Sequence, residues 1–272
     1  MKKLVSLLLV SVMAVCMLAG CGDKKSDSKL QEIKDRGELI MATDAAWAPF
    51  EYIDADEKPV GSDIDLAQDI ADALGVKLTV LNMSFDSLAT ALQNGDCDIV
   101  IAAMTITDER KESMDFSDPY TVSQQYIIVP EEDNDTKTIE DLAGKVLGTH
   151  LGTTGDFLVE EEINNGTLAG STENQYKNLA EGCIAMKNGD LQAIVCDSLL
   201  AENLCVVNEG LKCFPVVYAD GSATDESYGI AMKKGDQEFV DKINEIIKPL
   251  VEDGTIDGYI LEHQQKASLL AE

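Results

Sequence analysis

The chain has 272 residues, with 21 basic side chains against 50 acidic ones and a formal net charge of -29. That length suits one large domain or two modest lobes. The charge argues against a nucleic-acid partner, because nothing here could neutralise a run of phosphates, and against electrostatic attachment to anionic lipid.

The first residues form a separate object. Lys2 and Lys3 make a basic start, residues 4–18 an apolar run, and Leu18-Ala19-Gly20-Cys21 closes it. This is the layout of a signal peptide over residues 1–20, too short and wrongly flanked for a permanent membrane span. The closing four residues resemble a bacterial lipobox, in which Cys21 would receive diacylglycerol and become the mature N-terminus. Residues 21–35 then read as a lipidated tether, with the composition of a disordered linker over 22–29. The protein is expected outside the cytoplasm, anchored to the cell membrane through lipid alone. Of the seven Cys, Cys16 leaves with the signal peptide and Cys21 takes the lipid. Cys97, Cys183, Cys196, Cys205 and Cys213 remain, an odd set that cannot be fully paired. Small buried thiols are the plainer reading, and a Cys205–Cys213 bridge stays open. No zinc-ribbon spacing or Cys-x-x-Cys pair is present, and with only two His no metal or cofactor is expected.

Residues 31–37 read as a short helix stopped at Gly37, and Glu38–Thr43 as a strand. The loop that follows carries Asp44, Trp47, Pro49, Phe50 and Glu51. Such an aromatic loop at a strand end is either a ligand platform or a cap on the core. Residues 61–75 form an amphipathic helix with Ile64, Leu66, Ala67, Ile70, Ala71 and Leu74 on one face and Gly75 as its stop. Asp63 and Asp65 suit the positive end of its dipole. A strand at 76–81, a helix at 84–94 with Phe85, Leu88 and Leu92 inward, and a buried strand at 98–104 complete a β-α-β-α-β run, which implies a parallel sheet covered on both faces. A second unit follows: strands at 124–129, 145–149 and 191–196, helices at 139–144 and 178–188, a strand at 227–232 and a helix at 236–253 stopped by Gly254. His150 to Asp156 is a Gly- and Thr-rich turn into a helix whose free N–H groups can face an anion. It lacks the Gly-Lys-Ser/Thr of a phosphate loop.

The stretch Thr105-Ile106-Thr107-Asp108-Glu109-Arg110 carries the sharpest chemical signal. It leaves the end of a buried strand, where open α/β sheets bind ligands. Arg110 there is either a solvated partner of Asp108 and Glu109 or a planar fork for a carboxylate.

Taken together, these pieces resemble the extracellular solute-binding proteins of polar amino acid ABC transporters, family 3. The likeness runs from about Leu39 to Ile260 and rests on Gly61-x-Asp63-Ile64-Asp65-Leu66, Ala42-Thr43-Asp44 through Pro49-Phe50-Glu51, Thr105-x-x-x-x-Arg110, Asp115-Phe116-Ser117-x-Pro119-Tyr120, Gly152-Thr153-Thr154, Asp197 after a buried strand, and Tyr228-Gly229-Ile230-Ala231. Ser62 departs from the pattern, which usually has a larger side chain there. The resemblance implies an α/β, two-lobed, periplasmic-binding-protein-like fold of type II with two hinge crossings, near 119–124 and 228–233. Lobe 1 would be 36–121 with 233–265, and lobe 2 would be 122–232. It also implies that Arg110, Thr105 and Thr154 hold the α-carboxylate of a free L-amino acid. Asp197, Thr105 and the Ala103 carbonyl would hold its α-ammonium. Trp47 and Phe85 would flank the side chain, with Asp44, His150 and Thr153 around its end; Ala102 stands where some binders of basic amino acids carry Ser. The expected partners are a polar or basic amino acid and an ABC permease with its ATPase, and the expected state is a monomer. An amino-acid-sensing co-receptor and a dehydratase on the same scaffold are the alternatives. The second needs a general acid or base over the substrate, and His150 is the single His near the site.

Overall fold

The computed structural model describes residues 28–269. The signal peptide, Cys21 and tether residues 22–27 lie outside the described residues; the rest of the expected tether is not a linker, because residues 29–35 belong to a helix that buries Ile33. Helix α1 (Lys29–Arg36) leads into β1 (Glu38–Thr43), a short meander β2 (Ala46–Trp47), β3 (Glu51–Ile53) and β4 (Pro59–Val60), and helix α2 (Ser62–Leu74). Then come β5 (Lys77–Asn82), α3 (Phe85–Asn94), β6 (Ile99–Val100), α4 (Asp108–Ser113) and β7 (Met114–Phe116). The buried strand expected at 98–104 keeps ladder pairing only at Ile99 and Val100. Beyond them the chain turns through Ala103, whose φ is +44°, so these buried residues form a shaped floor rather than a ladder.

The second unit contains β8 (Thr121–Ser123), β9 (Gln125–Pro130), a 3₁₀ turn at Ile139–Leu142, β10 (Val146–His150), α5 (Thr154–Asn165), β11 (Thr172–Tyr176), α6 (Leu179–Lys187), β12 (Ala193–Asp197), α7 (Ser198–Val207), β13 (Leu211–Pro215) and β14 (Glu226–Tyr228). The chain ends in β15 (Ala231–Lys233), α8 (Gln237–Glu252) and α9 (Thr255–Leu269). His150 closes strand β10 instead of sitting in the turn. The single strand expected at 227–232 is two, because Gly229 and Ile230 leave one sheet for another. Gly229 has to be glycine here: a Cβ on it would lie 2.7 Å from Ile106 Cδ1.

Two sheets result, ordered β5-β1-β6-β15-β7 and β11-β10-β12-β9-β13. In each, two parallel pairings are followed by two antiparallel ones, so the fourth strand alone runs against the other four. Both faces of each are buried, as parallel ladders require. In β12, Ala193 and Val195 pack into one cluster and Ile194 and Cys196 into the other. Between the sheets the chain crosses twice, through β8 and β14, which pair antiparallel with each other at Ser123–Glu226, Val122–Ser227 and Thr121–Tyr228. The return crossing ends at β15, whose Ala231 and Met232 already pair in the first sheet, two residues ahead of the boundary expected at 233. Helix α9, absent from the sequence reading, packs on α2 and α8 of the first lobe and on α7 of the second. The five cysteines are free thiols, so the Cys205–Cys213 bridge is not formed. Among the described residues, no helix is long and apolar enough to cross a membrane.

Candidate functional site

The site lies where the carboxyl ends of both sheets face each other. Trp47, Phe85, Ala102, Ala103, Thr105, Arg110, Thr153, Thr154 and Asp197 line one cavity with about 200 Å³ of atom-free space. Eight of the ten expected site residues are therefore brought together. Asp44 and His150 close its end instead of lining it. His150 Nε2 is 3.3 Å from Asp44 Oδ2, Phe85 N donates to the same oxygen at 2.9 Å, and the His150 ring tilts against Trp47 with centroids 5.2 Å apart. Buried His150 Nδ1 and Trp47 Nε1 have no hydrogen-bond partner.

Arg110 is aimed by its helix. Thr107 caps α4, its hydroxyl accepting from Arg110 N at 3.1 Å, which fixes the side chain's starting direction. The guanidinium then donates to Thr105 O at 2.8 Å and, across the lobes, to Gly152 O at 3.1 Å. Its Cζ lies 5.4 Å from the centre of the Phe85 ring. Two donors are used on carbonyls, and a guanidinium has five. Burial pulls Arg110 below its ordinary value, opposed by the charges of Glu226 and Asp197. The solvated-helix alternative is thereby set aside: Arg110 turns away from Asp108 and Glu109 into the interlobe space.

Asp197 ends β12 opposite Gln125 of β9, a register that brings the two side chains together. Gln125 Nε2 donates to Asp197 Oδ1 at 2.6 Å and the Tyr228 hydroxyl donates to Oδ2. Burial and the neighbouring Glu226 push Asp197 up to about 7, against the pull of Tyr228, Gln125 and Arg110. Thr153 caps α5, accepting from Asp156 N at 3.4 Å, and Thr154 begins it. The helix end comes this close because Gly155 has no Cβ, which would meet Gln125 Oε1 at 2.8 Å.

Sequence reasoning missed Glu226. It is 6 % exposed and accepts from Thr154 Oγ1 at 3.1 Å and from Gln125 Nε2 at 3.2 Å. The available signal was its place two residues before Tyr228, on the same face of an extended strand. Asp63 also does more than suit a helix dipole. Its Oδ2 accepts from Ala103 N at 2.8 Å and from the Tyr120 hydroxyl at 2.8 Å, which holds the floor of the cavity in its unusual conformation. Glu51 lies against it, fully buried, with neither oxygen reached by a fixed donor. Burial, then the Asp63 charge, push Glu51 well up. One proton held between the two carboxyls is the arrangement that burial permits.

Residues 39–263 match the model of the bacterial extracellular solute-binding proteins, family 3. The chain belongs to this family. The probable histidine-binding protein of Neisseria gonorrhoeae is 33% identical over 240 residues, 88% of this chain and 88% of that protein. The arginine-binding extracellular protein ArtP of Bacillus subtilis is 33% identical over 257 residues, 94% of this chain and 96% of its own length. An amino acid ABC transporter substrate-binding protein, AbpA of Streptococcus pneumoniae, solved with L-arginine bound, superposes with a TM-score of 0.80 at 31% identity, covering 88% of this chain and 98% of that one. The two-lobed architecture of this solute-binding protein is thus the type II periplasmic-binding-protein fold. The family's members are extracytoplasmic, and the role is capture of a solute.

Proposed function

We propose that this solute-binding protein captures a free L-amino acid between its lobes and hands it to an ABC permease. The observation that carries the reading is one cavity lined by a cation from the first lobe, Arg110, and an anion from the second, Asp197. A zwitterion needs one fixed charge of each sign, each hydrogen-bonded. When the two lie on separate lobes, the closed state alone makes both sets of contacts. Arg110, with Thr105 and Thr154, takes the α-carboxylate. Asp197, with Thr105 and the Ala103 carbonyl, takes the α-ammonium. Trp47 and Phe85 hold the side chain between aromatic faces, with Thr153, Asp44 and His150 at its end. The lobes are 36–121 with 231–265, and 122–230. The chain acts as a monomer and performs no chemistry on its ligand.

Thermal-shift screening against the twenty amino acids, ornithine and cystine tests this, since a ligand at a thousandfold excess over its Kd adds ~4 kcal/mol of apparent stability. No shift with any of them refutes the reading. We further propose that Cys21 carries the lipid that retains the protein at the membrane. Cys21→Ser should move it into the soluble fraction, and unchanged retention would refute the anchor.

A further inference from the structure

The network behind the cavity has more acceptors than donors. Gln125 Nε2 lies within hydrogen-bond distance of three of them: Asp197 Oδ1 at 2.6 Å, Glu226 Oε1 at 3.2 Å and Thr154 Oγ1 at 3.2 Å. An amide nitrogen has two hydrogens. Both carboxyls are buried, at 3 % and 6 % exposure, so neither can spread its charge into water. Two carboxylates sharing one site cannot both ionise cheaply. Arg110 is the cation facing them, and it is already turned to Thr105 O and Gly152 O. The Tyr228 hydroxyl supplies a neutral donor, and Cys196, next in the chain, is pushed well up by burial and supplies no charge.

We propose that Glu226 is a positioning residue whose buried carboxylate, held beside Asp197 by Gln125 and Thr154, favours a proton on Asp197 while the cleft is empty, and that the arriving α-ammonium expels this proton to solvent. The inference rests on the amino-acid reading above. The incoming N–H groups replace the proton at Asp197, so the positive charge facing that carboxyl is kept: the α-ammonium arrives, one proton leaves to solvent, and the ligand's carboxylate is balanced by Arg110. Burial in the closed cleft, which pushes Asp197 up to about 7, agrees with this. Capture is then coupled to the acidity of the medium. Glu226, through Thr154 and Gln125, sets where that coupling falls.

The test has two arms. In the empty protein, carboxyl-carbon NMR should find a titration near neutral pH that moves toward acid pH in Glu226→Gln, whose amide removes the like charge while the burial of Asp197 remains. Calorimetric titration with L-arginine and L-glutamine, in buffers of different ionisation enthalpy, should find proton release near neutral pH in the parent. Affinity should fall by about tenfold from pH 8 to pH 6, as displacement of one proton bound near neutrality requires. In Glu226→Gln both effects should shrink. A pH profile unchanged in Glu226→Gln would overturn the proposal, as would a carboxyl titration confined to ordinary acid pH. If neither amino acid binds, the amino-acid reading is what weakens, and the NMR arm still decides the proton on Asp197.

Discussion

Arg110→Ala isolates the cation of the cleft. In the parent the guanidinium spends two donors on Thr105 O and Gly152 O and has enough left for both oxygens of a carboxylate. Charge-assisted hydrogen bonds of that kind contribute ~1.5–3 kcal/mol each. Water entering the shortened site recovers part of the loss, so binding should weaken by roughly 2–4 kcal/mol, about thirtyfold to a thousandfold in Kd. The fold should survive, because α4 buries none of its residues. The contact across to Gly152 would be lost, so the empty variant should also hold its lobes less tightly. Arg110→Lys should bind more weakly than the parent, because a single ammonium cannot serve two carbonyls and two carboxylate oxygens in one plane. Isothermal titration with L-arginine and L-glutamine, alongside thermal unfolding of each variant, makes the comparison. An Arg110→Ala protein that is folded and binds as the parent does would refute the placement of the carboxylate.

Gly61→Ala should destabilise severely: its Cβ would fall 2.0 Å from Phe50 O and 2.8 Å from Glu51 Cα at φ +143°. Backbone strain and overpacking together cost about 2–5 kcal/mol, and a melting temperature within a degree of the parent's would refute the close approach. Glu51→Gln tests the buried carboxyl pair. A carboxyl raised in the native state stabilises below its unfolded value of about 4.3 and loses that contribution as pH rises through the native value. The parent should therefore lose more stability than Glu51→Gln between pH 5 and 8, and parallel melting curves would refute the shared proton. Small-angle scattering should give a smaller radius of gyration with the amino acid bound, because a cavity this enclosed admits ligand only when the lobes part. Identical profiles at saturation would refute the clamp.

Helices with punctuation were legible. Those ending at Gly75 and Gly95 fall where the stops predict. Helix α7 was not, because it starts on the residue after β12 with no turn signal between and no side-chain cap at Asp197. Helix α9 was missed because Gly258 and scattered polar residues blur its period. In the site, residues at strand ends and helix caps could be placed from local pattern, which is why Thr105, Arg110, Thr154 and Asp197 meet as expected. Glu226 and the true work of Asp63 depend on partners 40 to 101 residues away in the chain. No local pattern carries that information. Asp44 and His150 were placed in the right neighbourhood, but whether they line a space or face each other is a question of side-chain direction.

Helix α9 gives the lobes a third connection. Its Ile256 and Ile260 share a core with Leu200 and Leu204 of α7, Gln264 reaches Glu202 at 3.5 Å, and on its other side Tyr259 donates to Asp69 at 2.8 Å. Two adjacent strands alone would let one half swivel against the other as freely as they bend. A helix packed on both halves restrains that swivel, because one half can turn only by breaking its contacts with α7 or with α2. An opening that keeps these contacts is therefore favoured over a twist that breaks them, which helps the two halves of the cleft to meet in the same register.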